Sequence, residues 1–374
     1  QDTGQFFSKA LKDVTKLVVY HTEIREFQSN RIFDPAVAAR FPGAFPMICL
    51  HRTAAEAGIS MITSDVHLKE RKGEQGLLLS DMHSKAAEGL IEAGLAPAIS
   101  SCAESPIVAY DFYHNLERYS RFYQHVFYFR GMKERVTSPT TKFHVLFFPQ
   151  SRREMVSILP AWEERGFLTM VASNKRAFPR RRVRNLRDLR REWIRRKDPW
   201  MASDLYAVRL LAIGYFAGCP DFHLYGHGWR EFVGDGGAEM ERCVTKAYRG
   251  SVSDKISTLS AYKFSLCFEN TRFPGYVTEK IFDAFFAGSI PVYYGAPDIT
   301  DFVPAGTFVD FSCFRDFSDL EEYLRAMTGK ESRDMIDRIR TFLASKEYEK
   351  FHEDFFARLV VEALLSVACA KRIW

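Results

Sequence analysis

The chain has 374 residues, 47% hydrophobic and 26% charged, with a formal net charge of +5. That balance excludes wholesale disorder and supplies enough apolar side chain for two sizeable cores, the domain number this length suggests. No apolar run reaches the roughly 18 residues a membrane-crossing helix needs; the longest candidate, from Leu359 to Ala370, is short and carries Glu362.

The charge is unevenly spread. Between Lys175 and Lys197 lie ten Arg and two Lys against Asp188 and Glu192 alone, so a mildly acidic body carries one strongly basic segment. Seven scattered cysteines form no C-x-x-C pair, and no Asn-x-Ser/Thr acceptor occurs. Both facts point to a reducing, cytoplasmic setting. The chain opens on Gln1 with neither a methionine nor a signal-peptide pattern, so trimming upstream of it is expected.

Short apolar runs of strand length occur at Leu17–Tyr20, Met47–Leu50, Ile59–Ile62 and Ala98–Ile99. Ser84 to Ala93 has helical spacing through Ala87, Leu90 and Ile91, with Gly94 as a stop. His125–Phe129 and Phe143–Phe148 read as two more strands. The alternation predicts an α/β sheet domain over residues 1–160. A second α/β domain is expected over 161–345, with a basic insertion at about 176–200, and a helical segment over 346–374. Phe167–Ala172 reads as a buried strand ending in Ser173-Asn174. Asp204–Ala217 reads as a helix, Phe222–Tyr225 as a strand turning at Gly226-His227-Gly228, and Asp254–Ser260 as a short helix.

Lys263 to Asn270 alternates as a strand does, Pro274-Gly275 marks a turn, and Thr278 is placed to cap a helix running to Ala287 before Gly288. Pro291–Tyr294 is the next strand. This is a βαβ unit with its loop at the carboxyl end of the first strand, where open α/β sheets bind ligands. Glu269-Asn270, Tyr276 and Thr278-Glu279-Lys280 therefore surround the positive end of a helix. Its free N–H groups attract phosphate, Lys280 adds a full charge, a carboxylate suits ribose hydroxyls, and Tyr276 is placed to stack on a base. The plainer alternative is a capped helix with a solvated Glu-Lys pair.

Tyr262-Lys-Phe-Ser-Leu-Cys-Phe-Glu-Asn-Thr271, Gly275-Tyr-Val-Thr-Glu-Lys-Ile281 and Ile290-Pro-Val-Tyr-Tyr-Gly-Ala-Pro297 together resemble the donor-site signature of the α-1,3/1,4-fucosyltransferases, glycosyltransferase family 10. The similarity reaches back through Phe167–Arg176, Leu205–Arg209 and Leu224–Trp229, and covers roughly half the chain. It implies a GT-B architecture of two Rossmann-like domains facing across a cleft, the first taking the acceptor and the second GDP-β-L-fucose. By position it implies that Asn270, Tyr276, Glu279 and Lys280 contact the nucleotide sugar, with Glu279 toward ribose and Lys280 toward phosphate. Arg209 matches the second phosphate-binding cation. From the residues alone, Ser173 and Lys175 at the turn after Phe167–Ala172 are further donor-binding candidates, Lys175 either reaching a phosphate or belonging to the basic run. The implied reaction is inverting and free of metal. Independently, the chain has no Asp-x-Asp pair, and two cations with a helix start are expected to take a metal's part in steadying the departing diphosphate. Glu104, in Cys102-Ala-Glu-Ser-Pro106, resembles the family residue that serves as catalytic base.

Other residues have duller readings. His227 is a turn residue, Trp229 packs beneath the donor site, Asp298 and Asp301 are spaced as helix caps, and Phe282, Phe285 and Phe286 are core. The histidines show no zinc-like spacing. Lys175–Lys197 departs from the family pattern; Leu186, Leu189, Trp193 and Ile194 fall three or four apart, as in a basic amphipathic helix, and the segment is read either as docking on an anionic membrane surface or a phosphorylated lipid-linked acceptor, or as a solvated loop. The overall expectation is a cytoplasmic enzyme, peripheral at the membrane, that fucosylates a GlcNAc-type acceptor in bacterial lipopolysaccharide or capsule synthesis, with no nucleic acid bound. The alternatives are a GT-B transferase for another nucleotide sugar, and a non-catalytic membrane- or nucleic-acid-binding protein built round the arginines.

Overall fold

Runs of Val, Leu and Ile that are buried on both faces favour parallel strands, because helices must cover each side. A computed structural model describes residues 16–132, 136–174, 204–230 and 237–371, together with Leu186, Leu189, Trp193 and Lys197. The chain divides into two compact units. The first comprises residues 1–103, 111–151 and 350–374, and the second comprises 104–110 and 152–349.

The first unit holds a six-stranded sheet in the order β2-β1-β3-β4-β5-β6. Its strands are β1 (Lys16–His21), β2 (Ile59–Thr63), β3 (Leu77–Asp81), β4 (Ala96–Ser101), β5 (His125–Tyr128) and β6 (Lys142–Val145), all paired in parallel. Met47–Leu50, expected as a strand, instead lies in helix α1 (Phe45–Glu56). Pro46 sits in the first turn, and Pro46, Cys49, Leu50 and Ala54 are buried at three- and four-residue spacing. A four-residue apolar run cannot distinguish the two periods; its neighbours decide. Helix α2 (Lys85–Glu92) starts where expected, with the Ser84 side chain accepting from Ala87 N.

The carboxyl-terminal helix Glu353–Lys371 returns to this first unit rather than forming a separate segment. Ala357, Val360, Leu364 and Val367 share a core with Cys49, Leu50 and Ala54 of α1, and Cys49 Sγ lies 3.2 Å from Asp354 Oδ1.

The second unit holds a five-stranded sheet in the order β11-β10-β9-β7-β8, again with every pair parallel. The strands are β7 (Gly166–Val171), β8 (Phe222–Tyr225), β9 (Tyr262–Phe268), β10 (Ile290–Tyr294) and β11 (Val309–Asp310). Helices α3 (Tyr206–Phe216), α4 (Lys255–Ser260) and α5 (Glu279–Ala287) match the sequence expectation to within about two residues. Gly288 ends α5 in the left-handed conformation at φ 63°. In each sheet the strand order reverses once, between β1 and β3 in the first and between β7 and β9 in the second. Those reversals create crevices at the carboxyl ends of the strands, where ligands bind.

Candidate active site

Glu269 and Asn270 leave the end of β9, and Ser173 and Asn174 leave the end of its neighbour β7. The β7 loop is held by the turn after β8. Asn174 N donates to His227 O at 2.9 Å, and Asn174 Nδ2 donates to Gly228 O at 3.0 Å. Buried Trp229 donates to Ala172 O at 2.6 Å, so it lies beneath this loop as expected. A Cβ on Gly226 would stand 1.9 Å from Ala172 O, so only glycine permits the approach. His227 is the turn residue between the two glycines. Ser173 therefore sits at the crevice; Lys175 lies outside the described residues.

The carboxylate of Glu269 is fully buried and organises the start of α5. It accepts from Thr278 N at 2.8 Å, from Thr278 Oγ1 at 2.8 and 3.0 Å, and from Lys280 Nζ at 3.0 Å. Thr278 occupies the N-cap position, but its hydroxyl turns to Glu269 instead of capping the helix. The first turn of α5 thus keeps its positive end toward the crevice. Gly295 makes this packing possible: a Cβ there would meet Glu269 Cγ at 2.5 Å. Sequence reasoning placed Glu269 in the cluster but missed this bracing role.

Arg209 arrives from α3. Leu205 N donates to Asn270 O at 3.1 Å, tying the helix start to the β9 loop. The residue is 5% exposed. Its Nε and Nη2 donate to Phe268 O at 3.1 and 2.6 Å, and Nη2 also reaches Asn270 Oδ1 at 2.9 Å. Its face lies 4.9 Å from the Tyr206 ring centre. No carboxylate among the described residues stands within ion-pair distance of it, and burial pushes its ordinary value down. Lys280 differs, pairing with both Glu269 at 3.0 Å and Glu279 at 3.3 Å. Burial lowers its ammonium, but the two carboxylates outweigh burial and raise it.

Glu279 is partly exposed. Burial raises its carboxyl, yet the charges of Lys280 and Lys255 prevail and hold it at about 2. Lys255, at the start of α4, pairs with Asp283 of α5 at 2.6 Å. Sequence reasoning missed this cation; only a lysine at a helix start near the motif signalled it. Arg209, Lys255 and Lys280 line one cavity of about 20 Å³ behind the end of β9, water-sized and too small for a nucleotide.

Tyr276 corrects an expectation. Its ring is only 2% exposed, which leaves no face for a base to stack on, and its hydroxyl accepts from Asn270 Nδ2 at 3.2 Å. Asp298 is another correction. Its side chain does not cap the short helix Ile299–Asp301 but accepts from Gly275 N at 2.8 Å, pinning the Pro274–Gly275 turn.

Glu104 follows β4 in sequence, yet the stretch 104–110 is contained in the second unit. Ile107 and Tyr110 pack on Tyr206, and the charge of exposed Glu104 acts on the hydroxyls of Tyr206 and Tyr276. The site residues Glu104, Arg209, Asn270, Tyr276, Glu279 and Lys280 thus all belong to one compact unit. Beside Glu104, the fully buried Ser105 hydroxyl has no hydrogen-bond partner.

The crevice of the first unit has a different chemistry, which the sequence did not reveal. His21, at the end of β1, shares hydrogen bonds with Ser64 Oγ at 3.0 Å and Ser84 Oγ at 3.3 Å. His83, after β3, bonds to Tyr123 Oη at 3.0 Å and Glu88 Oε1 at 3.2 Å. Burial is the leading cause lowering both imidazoles below their ordinary value. Met82, which immediately precedes His83, takes a left-handed φ of 61°.

Residues 238–353 match the family model for glycosyltransferase family 10 (fucosyltransferase) C-term. Among curated relatives, an α-(1,3)-fucosyltransferase of Helicobacter pylori is 47% identical over 76 residues, which is 20% of this chain and 16% of the relative. An α-(1,4)-fucosyltransferase of Arabidopsis thaliana is 44% identical over 69 residues, 18% of this chain and 17% of the relative. The chain thus spans about a sixth of the length of these relatives. Among solved structures, an α1,3-fucosyltransferase with GDP superposes with a TM-score of 0.52 at 15% identity, covering 95% of this chain and 92% of that one. Anabaena HepE in complex with UDP superposes at 0.54 and 12% identity, covering 94% and 100%. These likenesses give the fold, that of the GT-B glycosyltransferases. The segment 238–353, which carries the β9 loop and α5, is thus similar to the C-terminal part of the glycosyltransferase family 10 fucosyltransferases.

Proposed function

We propose that the chain is an inverting fucosyltransferase that moves L-fucose from GDP-β-L-fucose to a hydroxyl of a GlcNAc-type glycan, in α-1,3 or α-1,4 linkage and without a metal. One observation carries the reading: Arg209 is buried beside the start of α5, and no carboxylate among the described residues pairs with it directly. A buried cation is costly unless an anion and hydrogen bonds compensate it, and a pyrophosphate supplies both. Lys280 and the positive end of α5 stand beside it.

In this reading Arg209 and Lys280 hold the two phosphates, Glu279 accepts from ribose hydroxyls, Asn270, braced by the Tyr276 hydroxyl, orients the donor, and Ser173 and Lys175 close the β7 side. Glu104 takes the proton of the acceptor hydroxyl as its oxygen bonds to the fucose anomeric carbon from the face opposite GDP. The bond from that carbon to the β-phosphate oxygen breaks, its electron pair leaves with GDP, and the two cations stabilise the added charge. The His21 and His83 crevice of the first unit, rich in neutral donors and acceptors, suits an uncharged sugar acceptor. A lysine, an arginine and a helix start doing the work of a divalent ion support the absence of a metal requirement.

A panel of nucleotide sugars tests the proposal, with free nucleotide measured as product in EDTA. Release of GDP from GDP-fucose alone is expected, with fucosylated acceptor. Release from another donor overturns the fucose assignment, and activity restored only by manganese overturns the metal-free one.

A further inference from the structure

The sequence motif that this function leaves unused is the basic segment. Leu186, Leu189, Trp193 and Lys197 all have helical conformation. They fall three, four and four residues apart in the sequence, the spacing that places side chains on one face of a helix. That face is unpacked: Leu186 is 84%, Leu189 54% and Trp193 58% exposed. Lys197 Nζ lies 3.8 Å from the Trp193 ring centre, joining the apolar stripe to a cation at its end. Around these four residues the sequence places ten arginines, Lys175 and Lys197 against two carboxylates.

Three exposed large apolar side chains in a strongly cationic stretch need a partner that is apolar inside and anionic on its surface. Nucleic acid would satisfy the arginines and leave Leu186 and Leu189 in water. A protein groove would satisfy the leucines but would need a dense acidic rim. An anionic bilayer offers both, with acyl chains below a plane of phosphates. Trp and Lys side by side also suit the headgroup boundary, where an aromatic ring and a long cationic stem are both half-solvated. No helix of the described residues is long and apolar enough to cross a membrane, so the contact would be peripheral. We propose that the face of Leu186, Leu189, Trp193 and Lys197 is a docking surface for an anionic membrane. The assignment is independent of the sugar chemistry, since it uses none of the donor-site residues.

Flotation of the full chain with vesicles tests it. Recovery with vesicles containing about 30% phosphatidylglycerol is expected to exceed recovery with neutral phosphatidylcholine by at least about tenfold, and to collapse as salt rises from about 0.1 to 0.5 M. The combined variant Leu186→Ser, Leu189→Ser, Trp193→Ser is expected to float about tenfold less while binding GDP with unchanged affinity, which shows that it is folded. Quenching of tryptophan fluorescence by brominated acyl chains is expected to fall in Trp193→Phe. Equal recovery on neutral and anionic vesicles, or flotation of the triple variant at the level of the unaltered chain, overturns the proposal. Tight, salt-steep binding to duplex DNA without vesicle binding overturns it in favour of nucleic acid.

Discussion

The two units share an architecture and differ in what they put at the strand ends. Both build a parallel sheet with a single reversal of order. The first lines its crevice with imidazoles and hydroxyls held neutral by burial, and eight of the ten histidines lie in this unit. The second places Arg209, Lys280, Lys255, Glu269 and Glu279 around one strand end and one helix start. Topology therefore fixes where a ligand goes, and side-chain charge decides which ligand it is. Neutral, directional hydrogen bonding matches sugar hydroxyls; cations and fixed carboxylates side by side match the phosphates and ribose hydroxyls of a nucleoside diphosphate.

The sharpest break in that comparison comes from removing the proposed catalytic base. Glu104→Gln keeps the size and loses the base. Transfer is expected to fall roughly 10²- to 10⁴-fold with GDP affinity unchanged, read by product assay and calorimetry on the same preparation. Full turnover would move the base elsewhere.

Acid should separate the units by residue type. His125 bonds to His144 at 2.8 Å and to Ser366 at 3.0 Å. Burial, then the neighbouring His144 and Lys142, hold it down at about 4. A histidine depressed in the folded state binds protons more readily unfolded, so its contribution is complete above about pH 6.5 and is lost as pH falls toward 4. The loss is at most about 3 kcal/mol. Glu279, depressed to about 2, contributes above its ordinary value near 4.5 and loses that contribution only below it. Denaturant midpoints measured from pH 7 to 4 are expected to fall, and His125→Asn is expected to flatten the decline. An unchanged slope in that variant would assign the acid sensitivity to other groups.

Arg209→Ala addresses the charged crevice alone. It removes a guanidinium that braces Phe268 O and Asn270, and GDP affinity is expected to drop roughly 10- to 100-fold by calorimetry. Arg209→Lys is expected to recover only part, since an ammonium cannot span both acceptors and a phosphate.

The sequence made the second crevice more legible than the first, for a physical reason. Its strand, turn, helix and strand are contiguous from Tyr262 to Tyr294, so periodicity, Pro274-Gly275 and the Gly288 stop could be read locally. Arg209 stands about 60 residues away, and only the family resemblance connected it to Asn270. In the first unit the signals were weak: Met47–Leu50 was too short to show its period, Leu77–Leu79 passed unnoticed as a strand, and His21, Ser64 and Ser84 meet only in the folded sheet. Likewise, nothing local tells that Glu104 packs with the second unit rather than with the strand before it.

Lys255 offers the finest test of how the charged crevice is tuned. Its ammonium pairs with Asp283 one helical turn beyond Glu279 and is the second cation holding that carboxyl down. Lys255→Met alone strands Asp283 in a buried position, so Lys255→Met with Asp283→Asn is the cleaner variant, removing the pair without leaving a charge behind. At pH 7 Glu279 stays ionised, and GDP affinity is expected to fall less than about tenfold. With one of its two cations gone, the Glu279 carboxyl rises from about 2 toward its ordinary value. The acid side of the GDP-affinity profile should therefore begin its decline at a higher pH in the double variant. Lys255→Arg, which keeps the charge, should leave that side where it was. If the decline does not move, an ionised Glu279 is not what the ribose needs, and the carboxylate instead serves to hold Lys280 in place.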